Sequence, residues 1–299
     1  MAVICCGGNL AFSEGQGIAV NPTPKVAVIV LNWNRPEETA ACCRSLVAQS
    51  YRNLSVWVVD NGSTANTAED VQRLCPQAVV VRLEENRGFA GGVNVGIGAA
   101  KEQGPFDFFW LLNNDTVCEP DALQRMLVVA VGNPRMAAVG CSMVEGDEGH
   151  SHRVHAGKKL RAPLYIPREP KSSMEIDYIC GASLLIRQEA MEEIGMLDEG
   201  YFFFFEDADW SLRARKKGWV LGVVEGAPIR HLGSATIGGM SRLRAAYYRA
   251  GYVRLLRTHA RFPFWVAFLI TGYRLCAEIL RGRWATAAGT IDGWKRGWR

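Results

Sequence analysis

The sequence predicts an α/β protein with a mostly parallel central sheet flanked by helices, followed by a helical, basic C-terminal segment. Two observations carry the α/β part: short β-branched runs alternate with longer amphipathic stretches from Lys25 onward, and polar or glycine-rich residues follow each run. A third, the charge distribution, carries the C-terminal part. From Arg242 to the end there are twelve Lys and Arg against two Asp and Glu, which leaves twenty-two against twenty-eight before it.

The strands are expected at Val26–Leu31, Val56–Asp60, Val79–Leu83, Phe108–Leu112 and Ala137–Val144. Helices are expected between them at Glu37–Gln49, Ala68–Leu74, Val93–Gln103 and Asp121–Val131. From Val144 to Glu175 the chain turns polar and aperiodic, which predicts a long loop or a hairpin over the site. Order returns in the apolar run Ile176–Arg187 and a short helix, Gln188–Ile194. Residues 1–24 have no basic flank before their apolar stretch, so they read as a loose leader rather than a secretory signal. The organisation is then a leader over 1–24, a catalytic domain over 25–240 and the basic helical segment over 241–299.

With 299 residues, close to half of them apolar, the chain can bury a large core. Its nine cysteines form two adjacent pairs and five singletons with no C-x-x-C. That pattern points to reduced thiols in a cytoplasmic protein and away from a zinc site. The tail's charge calls for a polyanionic neighbour, and its apolar content selects an anionic membrane surface over nucleic acid. The longest apolar run, Phe262–Tyr273, is too short to span a bilayer, so a peripheral position is expected. Aromatic residues and arginines at 249, 254, 257 and 261 suit the headgroup region, with a helix packed on the core as the alternative.

Parallel strands place ligand sites beyond their carboxyl ends. The first strand ends in Asn32-Trp33-Asn34 and the second in Asp60-Asn61-Gly62-Ser63. A carboxylate beside a Gly-Ser turn accepts hydrogen bonds from a nucleoside, although the same residues also make a generic turn. Asn86, Gly88, Phe89, Gly91, Gly92 and Asn94 form a glycine-rich loop running into a helix. Its amides suit a diphosphate, and tight helix packing is the competing reading. The fourth strand delivers Asn113-Asn114-Asp115, oxygen ligands for a hard divalent cation or an Asx turn.

Then Glu206, Asp207 and Asp209 follow four phenylalanines at a helix start. Apolar surroundings raise a carboxylate's pKa towards that of a general base. Asp209 can instead pair with Arg213 at i,i+4, and Glu206 can cap the helix. His231, emerging from the strand Trp219–Val224 into Gly-Ser, either completes a metal or diphosphate site or is structural.

In this order the segments VIVLNWNRPEET, VVDNGSTAN, NRGFAGGVNVGI, WLLNNDT, GASLLIRQEAMEEIGMLDEGYFFFFEDADWSLRARKKGW and HLGSAT resemble glycosyltransferase family 2, in particular its rhamnosyltransferase-like branch. The resemblance covers roughly Val26 to Thr258. It implies a GT-A fold, a nucleotide-diphosphate sugar donor such as a dTDP- or UDP-sugar, a divalent metal (Mg or Mn) and a glycan or lipid-linked acceptor met at the inner face of the plasma membrane. It also implies site roles. Asp60 would contact the nucleoside, while Asn32, Asn34 and the Gly88–Gly92 loop would line the donor pocket. Asp115 and His231 would hold the metal, and Asp207 would be the base with Asp209 as its understudy. Family members generally carry an Asp-x-Asp triplet, and here Asn113 replaces its first carboxylate.

Two other readings compete. A non-catalytic subunit of a polysaccharide assembly complex would keep the fold without turnover. A sugar-nucleotide pyrophosphorylase would carry a basic Gly-rich signature on the first strand, where this chain has Leu31-Asn32-Trp33-Asn34.

Overall fold

The computed structural model describes residues 2–5, 8–11, 23–64, 67–145, 152–171, 175–231 and 242–299. The stretch read as a leader holds a two-stranded hairpin, β1 (Ala2–Cys5) and β2 (Gly8–Ala11). The Leu232–Thr236 part of the last motif lies outside the described residues.

The next elements alternate as expected: β3 (Val26–Asn32), α1 (Pro36–Val47), β4 (Leu54–Asp60), α2 (Thr67–Leu74), β5 (Val79–Arg82), α3 (Gly88–Glu102) and β6 (Phe108–Asn113). The chain continues through β7 (Thr116–Cys118), α4 (Ala122–Val131) and β8 (Met136–Glu145). The polar stretch after it folds as β9 (His152–Val154), β10 (Gly157–Arg161) and β11 (Ile166–Arg168). Then come β12 (Tyr178–Ile179), β13 (Ser183–Arg187), α5 (Gln188–Ile194), α6 (Glu206–Lys216) and β14 (Val220–His231). Three helices close the chain: α7 (Arg242–His259), α8 (Pro263–Leu280) and α9 (Trp284–Gly297).

The main sheet has the order β5-β4-β3-β6-β13-β8-β14-β7, with β9 on β8. The pairings give six of its nine described strands one direction; β13, β7 and β9 run the other way. The central strands β3 and β6 are apolar up to their last residue because both faces are covered. Val26, Val28, Val30, Phe108, Trp110 and Leu112 point into one core with α1 and α4. Ala27, Ile29, Phe109 and Leu111 point into the other with α3, α5 and α6. Alternation along each strand thus fills two cores at once.

Helix α3 begins five residues earlier than the sequence suggests, so the glycines form its first turns rather than a loop before it. Gly96 lies against Ile29 and Val59, where an added Cβ would come within 2.7 Å of both side chains. Close approach to the sheet is what these small residues provide.

The basic tail divides between burial and exposure. On α7, Tyr252, Val253, Leu255 and Leu256 are buried against Tyr201, Phe205 and Ala208. Helix α9 crosses α7 where Gly289 and Gly293 meet the Arg242 and Ala246 carbonyls. Arginines expected at a membrane are largely used internally: Arg254 pairs with Asp198, Arg257 donates to the Gly297 carbonyl, and Arg249 is buried. Helix α8 instead exposes Phe264, Trp265, Phe268, Leu269 and Tyr273. It runs on to Leu280, and 18 residues at about 1.5 Å each span about 27 Å. Among the described residues this helix is long and apolar enough to cross a membrane by length and composition. The shortness of Phe262–Tyr273 therefore does not exclude a span.

Candidate active site

Strand register builds the site. His231, the last residue of β14, pairs with Glu145 on β8 and with Thr116 on β7. Asp115 is therefore next to His231, whose Nε2 stands 3.2 Å from Asp115 Oδ1. On the other side His231 Nδ1 lies 3.0 Å from Glu145 Oε1. Burial lowers the His231 pKa, but the Asp115 and Glu145 carboxylates outweigh it and hold it above the ordinary value.

These residues fit the divalent metal that the resemblance implies. Asp115 Oδ1 and His231 Nε2 are both buried, and neither makes a hydrogen bond. With the Nδ1 proton given to Glu145, Nε2 offers a lone pair beside a carboxylate oxygen, the arrangement in which a second carboxylate orients a ligating histidine. Two protein ligands suit a cation that keeps waters or takes phosphate oxygens. Glu145 is absent from the sequence-derived site, although it stands at the end of an expected strand, where ligand residues are sought.

The first and second strand ends form one hydrogen-bonded block. Asn32 pairs in register with Asp60. Its amide donates to Asp60 Oδ1 at 2.9 Å, its oxygen accepts from Thr39, and Ser63 also donates to Asp60 Oδ1. Asn34, in the left-handed region at φ 57°, accepts from the Thr64 amide and staples the two turns. Asn61 donates to Asn86 and the Gly88 carbonyl and accepts from the Arg87 amide. Asn32 and Asn61 are thus buried and engaged with protein; they position Asp60 and the loop behind it. Gly62, at φ 68°, lies under the Glu85 backbone.

Several groups expected at the donor have partners within the protein. The Gly88 amide donates to Asn86 Oδ1 and the Phe89 amide to the Phe202 carbonyl. Two of the amides expected to cradle a diphosphate are therefore engaged. Gly88 takes φ 74° with the Phe202 carbonyl where a Cβ would sit, Gly91 lies over Arg87, and Gly92 packs on Leu31. Tight packing accounts for these glycines. Asn94 donates to the Leu197 carbonyl and Glu199, and Asn114 donates to Thr39. Asn113 remains half-buried at the end of β6.

The Gly88–Phe202 contact leads to the candidate base. Phe204 and Phe205 both lie in the left-handed region, at φ 74° and 71°, a costly geometry for bulky residues that over-determined packing must hold. That turn starts α6 and sets Asp207, whose Oδ2 accepts from the Gly181 amide at 2.8 Å and Oδ1 from the Ala208 amide at 2.7 Å. Burial raises the Asp207 pKa to about 6, against the lowering effect of those amides. Glu206 is pushed further up by burial and by the charge of Asp207, and its Oε2 is buried without a partner. It does not cap the helix, and the two adjacent carboxyls disfavour each other's ionisation.

Asp209 is not a second base. It is 1% exposed, with Oδ2 accepting from Arg213 at 2.8 Å and Oδ1 2.8 Å from His259 Nε2 on α7. Burial favours its neutral form, but His259 and Arg213 outweigh that and hold its pKa below the usual range. Asp209 ties α6 to the C-terminal helices.

Asp207 and Asp115 meet through two backbone links. The Gly181 amide holds Asp207, and the neighbouring Ala182 carbonyl accepts from the Asn113 amide at 3.0 Å, two residues before Asp115. The antiparallel insertion of β13 beside β6 creates this link.

Comparison with known proteins agrees with this architecture. The family model for glycosyl transferase family 2 matches residues 27–195. An N-acetylglucosaminyl-diphospho-decaprenol L-rhamnosyltransferase of Mycobacterium tuberculosis is 25% identical over 266 residues, covering 80% of this chain and 86% of that protein. A poly-beta-1,6-N-acetyl-D-glucosamine synthase of Staphylococcus aureus is 23% identical over 265 residues, covering 86% of this chain and 63% of that protein. A mannosyltransferase of Pyrobaculum calidifontis, solved with GDP-Man and Mn2+, superposes with a TM-score of 0.60 at 17% identity, over 93% of this chain and 88% of that one. With its GT-A fold and a family match over more than half its length, the chain belongs to glycosyl transferase family 2.

Proposed function

We propose that this glycosyltransferase inverts the sugar it transfers, moving it from a nucleotide-diphosphate donor to a hydroxyl of a lipid-linked or cell-surface glycan. The observation that carries the reading is the backbone link from Asp207 through Gly181 and Ala182 to the strand end that bears Asp115. It supports a proton acceptor and a diphosphate-neutralising group working on one substrate.

In this mechanism Asp207 accepts the acceptor hydroxyl proton, and the oxygen attacks the anomeric carbon opposite the leaving nucleoside diphosphate. The two amides on Asp207 keep it ionised and aimed. Asp115 and His231 would hold a divalent cation, Mg or Mn, which supplies charge neutralisation at the leaving diphosphate. Asp60, held by Asn32 and Ser63, would receive the nucleoside. The mycobacterial relative's name, an L-rhamnosyltransferase acting on a diphospho-decaprenol, supports rhamnose as the sugar and a lipid-linked acceptor. The exposed apolar side of α8 supports work at a membrane surface.

Nucleotide sugars incubated with lipid-linked acceptor and Mn2+ test the reading. The expected product has inverted anomeric configuration and is lost in Asp207→Asn. A retained configuration, release of a nucleoside triphosphate from added pyrophosphate, or donor binding without turnover would each replace it, the last two favouring a pyrophosphorylase and a non-catalytic subunit.

A further inference from the structure

A cavity of about 300 Å3 lies between the three C-terminal helices, lined by Arg244, Tyr248 and Arg249 of α7, Arg274 of α8, and Thr286 and Thr290 of α9. Arg249 is 4% exposed, and its Nε and Nη1 have no hydrogen-bond partner. On the same helix Arg242 pairs with Asp292, Arg254 with Asp198, and Arg257 with the Gly297 carbonyl. Arg249 has no carboxylate at ion-pair distance among the described residues. Its neighbour Arg274 adds like charge, and burial and Arg274 both act against its ionisation. The nearby carboxylate, Glu278, is divided between Arg274 at 3.5 Å and Arg283 at 3.7 Å, so the cavity keeps a positive excess.

A buried guanidinium without an anion is unfavourable, and an anion that takes its planar fork restores the balance. Phosphate oxygens suit that fork. The cavity's surroundings identify the source. Helix α8, which brings Arg274 to the cavity, also exposes Tyr273 (74%) and Leu280 (87%), and α9, which brings Thr286 and Thr290, exposes Trp284 (67%). A cationic cavity formed by helices that also expose aromatic and aliphatic side chains is the arrangement of a membrane interface.

We infer that the cavity between α7, α8 and α9 binds the phosphate headgroup of a membrane lipid, with Arg249 as its principal ligand and Arg274 at its mouth. The headgroup enters with its acyl or prenyl chain along the exposed side of α8. The site is separate from the strand-end site and does not depend on the role of Asp207. It nevertheless stands close to that region, because Tyr248 packs on Phe204 at 5.4 Å and on Phe205 at 5.0 Å.

Flotation of the full chain tests this, using phosphatidylcholine vesicles that carry either phosphatidic acid or phosphatidylglycerol at matched surface charge. The native chain is expected to favour phosphatidic acid, whose phosphomonoester is open to the fork. Arg249→Met is expected to lose about tenfold in binding to those vesicles, as the loss of a charge-assisted contact implies. Its Tm should not fall, because Met replaces an unpaired buried cation with a side chain of similar length. Arg274→Gln, a change at an exposed position, is expected to lose part of the preference and gives the same readout if Arg249→Met does not fold. Equal recruitment of the native chain by both vesicles overturns the proposal, as does preference retained in both variants. A Tm rise with inorganic pyrophosphate, without selection of phosphatidic acid, overturns the lipid source. A thermal shift of the native chain with nucleotide sugars tests the transfer reading separately.

Discussion

Asp115 Oδ1 stands 3.2 Å from His231 Nε2, both buried, and neither atom makes a hydrogen bond. A buried carboxylate oxygen and an imidazole nitrogen side by side, with no well-formed hydrogen bond between them, form a pair that a cation completes in place of a proton. Glu145, on the far side of the ring, fixes which nitrogen faces Asp115.

Replacing Glu145 with Gln therefore acts on the metal without touching it. We expect Mn2+ affinity to fall about 10–100-fold, the usual cost of losing a carboxylate behind a ligating histidine. Titration of Mn2+ against donor binding measures it, and an unchanged midpoint would show that Glu145 does not position His231.

Asp207→Asn should lower turnover by about 10²–10⁴-fold while donor binding survives. The same change has a signed effect on stability. The folded Asp207 value, about 6, lies above the ordinary carboxylate value, so its contribution is whole below about pH 4 and is lost as pH rises through 6. The variant should match the native chain at pH 4 and exceed it by about 1–3 kcal/mol at pH 8, from about 1.4 kcal/mol per pKa unit. Denaturant unfolding at the two pH values checks this.

A base with that pKa gives kcat/KM a descending acid limb. Below about pH 6 the rate should fall about tenfold per unit as Asp207 takes up a proton, and it should level off above pH 7. A limb near pH 4 would place the base elsewhere.

Gly88→Ala meets two obstacles: φ of 74° and the Phe202 carbonyl oxygen 2.3 Å from the new Cβ. A loss of at least about 2 kcal/mol is expected, with a drop in turnover because Phe202 belongs to the turn that sets Asp207. Calorimetry and a rate assay on one preparation separate the two effects.

Asp209→Asn should behave as a structural change. Breaking its contacts with Arg213 and His259 is expected to cost about 3–5 kcal/mol near pH 7 while turnover per folded molecule persists. Its folded pKa is depressed, so the stabilisation is present above the ordinary Asp value and lost as pH falls through the lowered one. The gap between variant and native chain should therefore close in acid, as Tm against pH would show.

The strand–helix alternation and strand-end residues were legible because burial on both faces forces continuous apolar runs, which end where polar side chains reach solvent. Asp115 and His231 follow from that rule, and so would Glu145 have done, whereas Asp207 stands out instead as a carboxylate at a helix start behind four phenylalanines. That the amide groups of Asn94 and Asn114 donate within the protein was not legible, because an amide's type and spacing do not reveal whether its partner is a ligand or a group elsewhere in the fold. The glycines of α3 left two readings open for a related reason, since room for a phosphate and room for a sheet need the same missing Cβ, and the packing reading accounts for Gly92 and Gly96.

The sequence by itself determined the strand–helix alternation, the family and the candidates Asp115, Asp207 and Asp209, through patterns local to each segment. Tertiary structure decided which carboxylate is free to act: His259, fifty residues away, claims Asp209, whereas Gly181 and Ala208 leave Asp207 ionisable near neutrality. It also decided that α7 is core and α8 is surface. Both choices rest on contacts between distant segments, and a charge or an apolar side chain takes its role from the neighbour that the fold brings to it.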